Sequence, residues 1–298
     1  MRLEDTPAAA AGTFPVGDMT VGRIGFGTKR LAGGGPGDIT ANGDRDRVTA
    51  LLRQAFELGI NHIDTAAFYP SHPEPQRGPT AFSSLGWANQ LVREALAPYP
   101  PELLIATKVG PTDAGMARPD QLRELVEEDL RDLGRDHLDL VYLRQHGLAS
   151  LAEHFGALAD LRDAGLIRHL GLSNVRLEKL TEARSIAPVV AVQNRYGVDF
   201  GRVNDEVLRA CGDEGIAFVP FFALAASGRE SGGVAPNDSV QAIAAKHGAT
   251  PAQVRIAWTL SQGSHVLAIP GTSDPGHLVE NVAAGALRLS PEDLASLG

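Results

Sequence analysis

Asp64, Tyr69 and Lys108 are the residues of this 298-residue sequence whose types could share one piece of chemistry. Asp64 and Tyr69 bracket the run DTAAFY, and Lys108 follows Thr107 after an apolar stretch. A tyrosine with a pKa of about 10 is a poor proton donor at neutrality. An ammonium beside it favours the phenolate and lowers that pKa, and a carboxylate paired with the ammonium holds it charged and in place. Such a trio protonates a carbonyl oxygen while hydride arrives at the carbon. Singly, Asp64 and Lys108 read as a strand-end ion pair and Tyr69 as an interface aromatic; the chemistry needs all three together. Lysine is scarce, with only Lys29, Lys108, Lys179 and Lys246 among 27 cationic side chains, so few candidates exist for a buried ammonium.

The elements that must position these residues show as alternation. Short apolar, β-branched runs at 23–27, 60–64, 103–107, 138–143, 169–172, 189–193, 217–221 and 266–269 read as strands. Longer segments with helical periodicity lie between them, at 44–58, 88–97, 119–133, 151–164, 177–185, 203–214, 239–247 and 251–262, and a last helix follows Asp274. Gly59, Gly134, Gly165, Gly215 and Gly248 each stand just past a periodic segment, where glycine ends helices. Asp120 and Asp238 suit the opposite ends. Strand, helix and glycine repeated eight times predicts an α/β fold, a parallel sheet closed as a (β/α)8 TIM barrel. A doubly wound sheet is the alternative. In the barrel, Asp64 ends the second strand, Tyr69 lies in the loop after it, and Lys108 ends the third. Neighbouring strand ends lie roughly 5 Å apart, so the three side chains can meet.

Composition agrees. At 298 residues the chain could form two domains of roughly 150, or one barrel of about 250; with no linker or internal repeat we read one domain over 1–298. The chain is 43% hydrophobic and 21% charged, enough for a large core. A net charge of −9 leaves no broad basic face for nucleic acid or anionic lipid. The N-terminal stretch lacks the apolar core of a signal peptide, and the longest apolar run, 216–226, contains Pro220 and is far short of the ~20 residues that span a bilayer. A soluble cytoplasmic protein, monomeric by default, is the expectation. Cys211 is the single cysteine, no Gly-Lys pair exists to build a P-loop, and the nine histidines form no metal-binding pair. The glycines of 22–27 are spaced G-x-x-G-x-G, unlike the dinucleotide fingerprint. Two segments break the rhythm: 30–43, rich in Gly, Ala and Asp, and 70–87, which carries four prolines and reads as a loop insertion.

Ordered motifs at the strand ends resemble the aldo-keto reductases, NAD(P)H-dependent (β/α)8 barrels that reduce aldehydes and ketones. They are GFGT at 25–28, Asp64 with Tyr69, Lys108, GLSN at 171–174, QNRY at 193–196, VPFFAL at 219–224 and IPGTSDPGHLVEN at 269–281. The resemblance implies Asp64, Tyr69 and Lys108 as three of four catalytic residues, with Tyr69 the general acid. It implies Ser173, Asn174 and Gln193 as ligands of the nicotinamide carboxamide and Phe221 as the aromatic stacked on its ring. Thr28 and Lys29 match the first cofactor-contacting turn, Leu224 lies in the pyrophosphate-side loop, and Thr272, Ser273, Glu280 and Asn281 match the adenosine end. A helix N-terminus near Thr272 suits a 2′-phosphate.

The sequence departs from the family in two places. The fourth catalytic residue is usually a histidine ending the fourth strand. Here DLVYLR at 139–144 puts Arg144 there, with His146 two residues on, able to face inward if the strand continues. A guanidinium donates hydrogen bonds but hardly acts as an acid, which leaves protonation to Tyr69. The arginine form, with NQLVREAL at 89–96, resembles a bacterial subgroup that includes pyridoxal reductases. At the cofactor's phosphate, Gly271 and His277 replace a lysine and an arginine common in NADPH-specific members; NADPH remains the expectation, with NADH open. For a small-molecule carbonyl substrate, the insertion offers Trp87, Phe82 and His72, and the barrel offers Phe26, Arg30 and Tyr142. The rival readings are a non-catalytic nicotinamide-binding sensor or partner subunit, and a Schiff-base enzyme built on Lys108.

Overall fold

The computed structural model describes residues 3–31, 45–68, 87–112, 114–200, 202–221, 223–224 and 237–298. An antiparallel hairpin, β1 (Thr13–Val16) and β2 (Met19–Gly22), comes first. The alternation then runs β3 (Phe26–Gly27), α1 (Arg45–Glu57), β4 (His62–Asp64), α2 (Trp87–Leu96) and β5 (Leu104–Val109). A small hairpin, β6 (Pro111–Thr112) and β7 (Gly115–Met116), precedes α3 (Leu122–Leu133) and β8 (Leu138–Arg144). Next come α4 (Ala152–Asp163), β9 (Ile167–Ser173), α5 (Leu177–Arg184), β10 (Ala191–Gln193), α6 (Asp205–Asp213) and β11 (Ala217–Phe218). Helices α7 (Asp238–His247), α8 (Pro251–Ser261), α9 (Pro275–Ala283) and α10 (Pro291–Leu297) complete the chain.

The parallel sheet has the order β11-β10-β9-β8-β5-β4-β3. Its two edges are joined by the segment that follows α8. Val266 bridges Phe218 and Ala268 bridges Ile24, both parallel, with Leu267 N on Phe218 O at 2.9 Å and Gly25 N on Ala268 O at 2.7 Å. Closure makes this a (β/α)8 barrel and removes every edge. All eight expected strands are present, although the first and last are reduced to two residues or single bridges.

Alternation along each strand separates two layers. Leu104, Ala106, Leu140, Ala191, Ala217, Val219 and Leu267 point inward, and Val16, Met19 and Val21 of the hairpin plug the bottom of that interior. The intervening residues, such as Ile63, Ile105, Val141 and Val192, pack under the helices. Strand β5 is buried on both faces, as a barrel strand must be.

Helix α3 shows how a helix meets this surface. Leu122, Val126, Leu130 and Leu133 form its apolar stripe, and Asp129 is buried in the same stripe. Gly134, at φ 65°, takes the left-handed turn that stops it and donates its N–H to Leu130 and Arg131 carbonyls.

Candidate active site

The C-terminal ends of β4, β5 and β10 bring three of the expected residues together. Lys108 Nζ donates to Asp64 Oδ1 at 2.7 Å and to the Thr65 carbonyl at 2.9 Å, and Gln193 Nε2 donates to Asp64 Oδ2 at 2.6 Å. Lys108 is only 2% exposed. Burial lowers its pKa, and the Asp64 carboxylate opposes that shift. Two residues before Asp64, on the same inward face, lies His62. It is buried, neither ring nitrogen is hydrogen-bonded among the described residues, and burial pulls its pKa down to about 4.

The next strand ends form a second group. Arg144 is the last residue of β8 and pairs in register with Ser173 on β9; its Nη1 donates to Ser173 Oγ at 3.1 Å. Its guanidinium also lies 4.9 Å from the Phe221 ring centroid. The strand stops at Arg144, so the continuation that would turn His146 inward is absent, and His146 is exposed. Asn174 takes φ 63°, and its N–H meets the Gln193 carbonyl at 3.0 Å. Asn194 braces this turn from behind: Oδ1 accepts Val175 N at 3.0 Å, and Nδ2 donates to Val175 O at 2.7 Å and to Asn204 Oδ1 at 3.0 Å. The sequence signals Asn194 only as the polar neighbour of Gln193.

A third group lies where the first and last strands meet. Gly271 approaches so closely that a Cβ would stand 2.4 Å from the Gly27 carbonyl oxygen. Thr28 beside it is buried, with its hydroxyl unpartnered among the described residues. Thr272 Oγ1 accepts Asp274 N at 3.0 Å, and the Asp274 carboxylate caps α9 through Gly276 N (2.7 Å) and His277 N (3.0 Å). Asn281 is buried, Ser273 and Glu280 are partly so, and His277 and Lys29 are exposed. Leu224 packs on the cluster of Ile24, Ile256 and Ala268.

Other expectations fare differently. Tyr69, His72 and Phe82 lie outside the described residues, as does the side chain of Trp87, the first residue of α2. Phe26, named above as a pocket candidate, faces the helices and is buried with Leu51 and Leu52, because the short β3 turns Gly25 and Gly27 inward. Tyr142 does face inward, but fully buried beneath the site, its ring centroid 6.0 Å from Lys108 Nζ. Burial raises its phenol pKa well above the ordinary value. It forms a floor rather than an open wall. Arg30 is exposed. Among the described residues no cluster of His, Cys, Asp or Glu is arranged to hold a metal ion, and no helix is long and apolar enough to cross a membrane.

Known proteins resemble this chain in sequence and in fold. Residues 23–298 match the model of the Aldo/keto reductase family. Pyridoxine 4-dehydrogenase of Escherichia coli (strain K12) is 40% identical over 303 residues, covering 97% of this chain and 98% of that protein. A thermostable aldo-keto reductase, Tm1743, solved with the inhibitor epalrestat, superposes with a TM-score of 0.78 at 28% identity, covering 96% of this chain and 98% of the other. An aldo/keto reductase from Klebsiella pneumoniae, solved with NADP and acetate, gives a TM-score of 0.76 at 28% identity, over 93% and 90% of the two chains.

Proposed function

The chain belongs to the aldo/keto reductase family of NAD(P)H-dependent oxidoreductases, and on that premise we propose that it reduces an aldehyde to the alcohol at the C-terminal mouth of its barrel, with Tyr69 as proton donor. The observation that carries this reading is the buried Lys108–Asp64 pair. An ammonium inside a barrel is costly, and a carboxylate, a carbonyl and a glutamine amide are arranged around this pair to hold it. Its use is to lower the pKa of a phenol set beside it, and Tyr69 follows Asp64 by five residues in the sequence. Arg144, fixed by Ser173, orients the carbonyl oxygen by donating to it. Protonation of that oxygen by Tyr69 completes the alcohol.

NADPH, when bound, supplies the hydride. The groups at the strand ends suit it. Ser173, Asn174, Gln193 and Phe221 would hold the nicotinamide, the buried Thr28 hydroxyl has no partner among the described residues, and Thr272 and Ser273, just before the α9 N-cap, with Glu280 and Asn281 further along that helix, would hold the adenosine end. NADP in the Klebsiella structure supports the choice of cofactor. The name of the Escherichia coli relative points to a pyridine aldehyde and its alcohol, the pyridoxal and pyridoxine pair, as the substrate class. We read residues 1–298 as one barrel domain with a loop insertion at 70–87.

The test is NADPH oxidation with pyridoxal and a panel of small aldehydes. Tyr69→Phe and Lys108→Met are each expected to lower kcat by about 10²–10⁴-fold, the usual worth of general acid catalysis, while NADPH still binds. A Tyr69→Phe variant with the kcat of the parent protein would overturn the mechanism.

A further inference from the structure

Behind the Asp64–Lys108 pair, between the sheet and the helices, lies a second buried polar chain that proton donation does not use. Asp129 of α3 is fully buried. Its Oδ2 accepts the hydroxyl of Thr107 at 2.8 Å, and its Oδ1 accepts the amide Nδ2 of Asn89, from α2, at 2.6 Å. Asn89 Oδ1 accepts the hydroxyl of Thr65 at 2.7 Å. The backbone carbonyl of Thr65 in turn receives Lys108 Nζ at 2.9 Å. All three side-chain donors point toward the carboxylate, which orients the Asn89 amide and leaves each hydroxyl a single direction. Thr107 directly precedes Lys108, so Asp129 reaches Lys108 by two routes, along the strand and around through α2.

We propose that Asp129 is a positioning residue for Lys108: it fixes the strand end and the Thr65 carbonyl that hold the ammonium. The proposal rests on the reading of Lys108 as the partner of the proton donor. The other inward positions of α3 are Leu122, Val126, Leu130 and Leu133, so a carboxylate among them costs stability that an aliphatic residue would not. Burial pushes the Asp129 carboxyl up to about 7, against the hydrogen bonds from Thr107 and Asn89 that favour its charged form, while Asp132 and Glu128 of its own helix add to the rise. Lys108 is faced by Asp64 and His62 from β4, by Tyr142 and Arg144 from β8, by Gln193 from β10 and by Asp129 from behind; Arg144 lowers its pKa, and Asp129 raises it.

Asp129→Asn keeps the shape and removes the charge. Expected are a kcat lowered about tenfold, the size of a one-unit change in acid strength, an unchanged KM for the carbonyl, unchanged NADPH binding, and a basic limb of the kcat–pH profile moved to lower pH. Parent kcat and pH profile in this variant would overturn the proposal. Lys108→Met is measured in parallel. If it keeps full turnover, the reading of Lys108 fails and takes the proposal with it; if it loses turnover while Asp129→Asn does not, the proposal alone fails. Should Asp129→Asn not fold, Thr107→Val and Thr65→Val carry the test, since each deletes one hydroxyl of the chain at constant volume. A several-fold fall in kcat at constant KM is expected for each, and parent kcat in both overturns it.

Discussion

Lys108, His62 and Asp129 are three titratable groups buried within one corner of the barrel, and burial shifts the pKa of each. His62 stays neutral because burial drops its pKa from 6.5 to about 4. The native state therefore binds fewer protons than the unfolded chain between those values, and the contribution of His62 is present above pH 6.5 and lost as pH falls through 4, a change of about 3 kcal/mol. Asp129 has the opposite sign. Its pKa rises from 3.8 to about 7, so its contribution is present below pH 3.8 and lost as pH rises through 7. The two effects oppose one another between about pH 4 and 6.5. Urea unfolding across pH should show this as a flat region that His62→Leu tilts toward lower stability with rising pH. Asp129→Asn should gain on the order of 4 kcal/mol over the parent at pH 8, and none at pH 4. Equal stability of parent and Asp129→Asn at pH 8 would mean that the carboxylate costs nothing where it is.

At the scale of elements, packing sets the turn after β9, which carries the residues expected to bind the carboxamide. Ser173 and Asn174 are aimed by a backbone in which Asn174 adopts φ 63°, and Asn194, two hydrogen bonds deep on Val175, keeps that turn against β10. Asn194→Ala leaves the Val175 N–H and C=O without their partners, at a cost of about 1–3 kcal/mol. Because the turn carries the expected carboxamide ligands, the same variant should raise the Kd for NADPH measured by fluorescence titration, with less effect on kcat at saturation. A variant destabilised but binding NADPH as tightly as the parent would separate the turn from the cofactor.

At the scale of the molecule, a residue that no motif marks spans the seam of the barrel. Arg23 precedes the first barrel strand, and its guanidinium donates to the carbonyls of Val266 (3.1 Å), Gly263 (2.5 Å) and Leu260 (2.5 Å), all near the last strand. Its backbone also accepts Ala268 N at 2.8 Å. One side chain thus staples the seam between the two ends of the barrel. Arg23→Met keeps the aliphatic stem and leaves these carbonyls without their donor; a loss of about 2–4 kcal/mol is expected, from two or three charged hydrogen bonds. It should appear as a lower urea midpoint with an unchanged m-value. The midpoint of the parent would show that the backbone bridges close the seam unaided.

What the sequence determined is what short stretches of chain decide for themselves. Eight apolar runs, helices of period 3.6 and glycines such as Gly134 past their ends are local features, and together they predict a parallel α/β sheet, the barrel ahead of a doubly wound sheet. Closure then brings Asp64, Lys108 and Gln193 to one rim without further information, because each sits at the C-terminal end of its strand. What the tertiary structure decided are matters of phase and of distance. A strand of two residues leaves its facing open, so Phe26 could be assigned to the helix layer only once β3 had neighbours, and the depth of Tyr142 in the barrel was set by the strands around β8. Where β8 ends, and hence that Arg144 rather than His146 stands at the rim, was set by its pairing with β9. The hairpin that plugs the barrel was too short and too mixed in polarity to show as strands. Asp129, Asn89 and Thr65 come from an apolar helix face, a second helix and a loop, 24 and 40 residues apart in their hydrogen-bonded pairs. No local pattern marks such a chain, since its members acquire a common role only when three elements pack against one another.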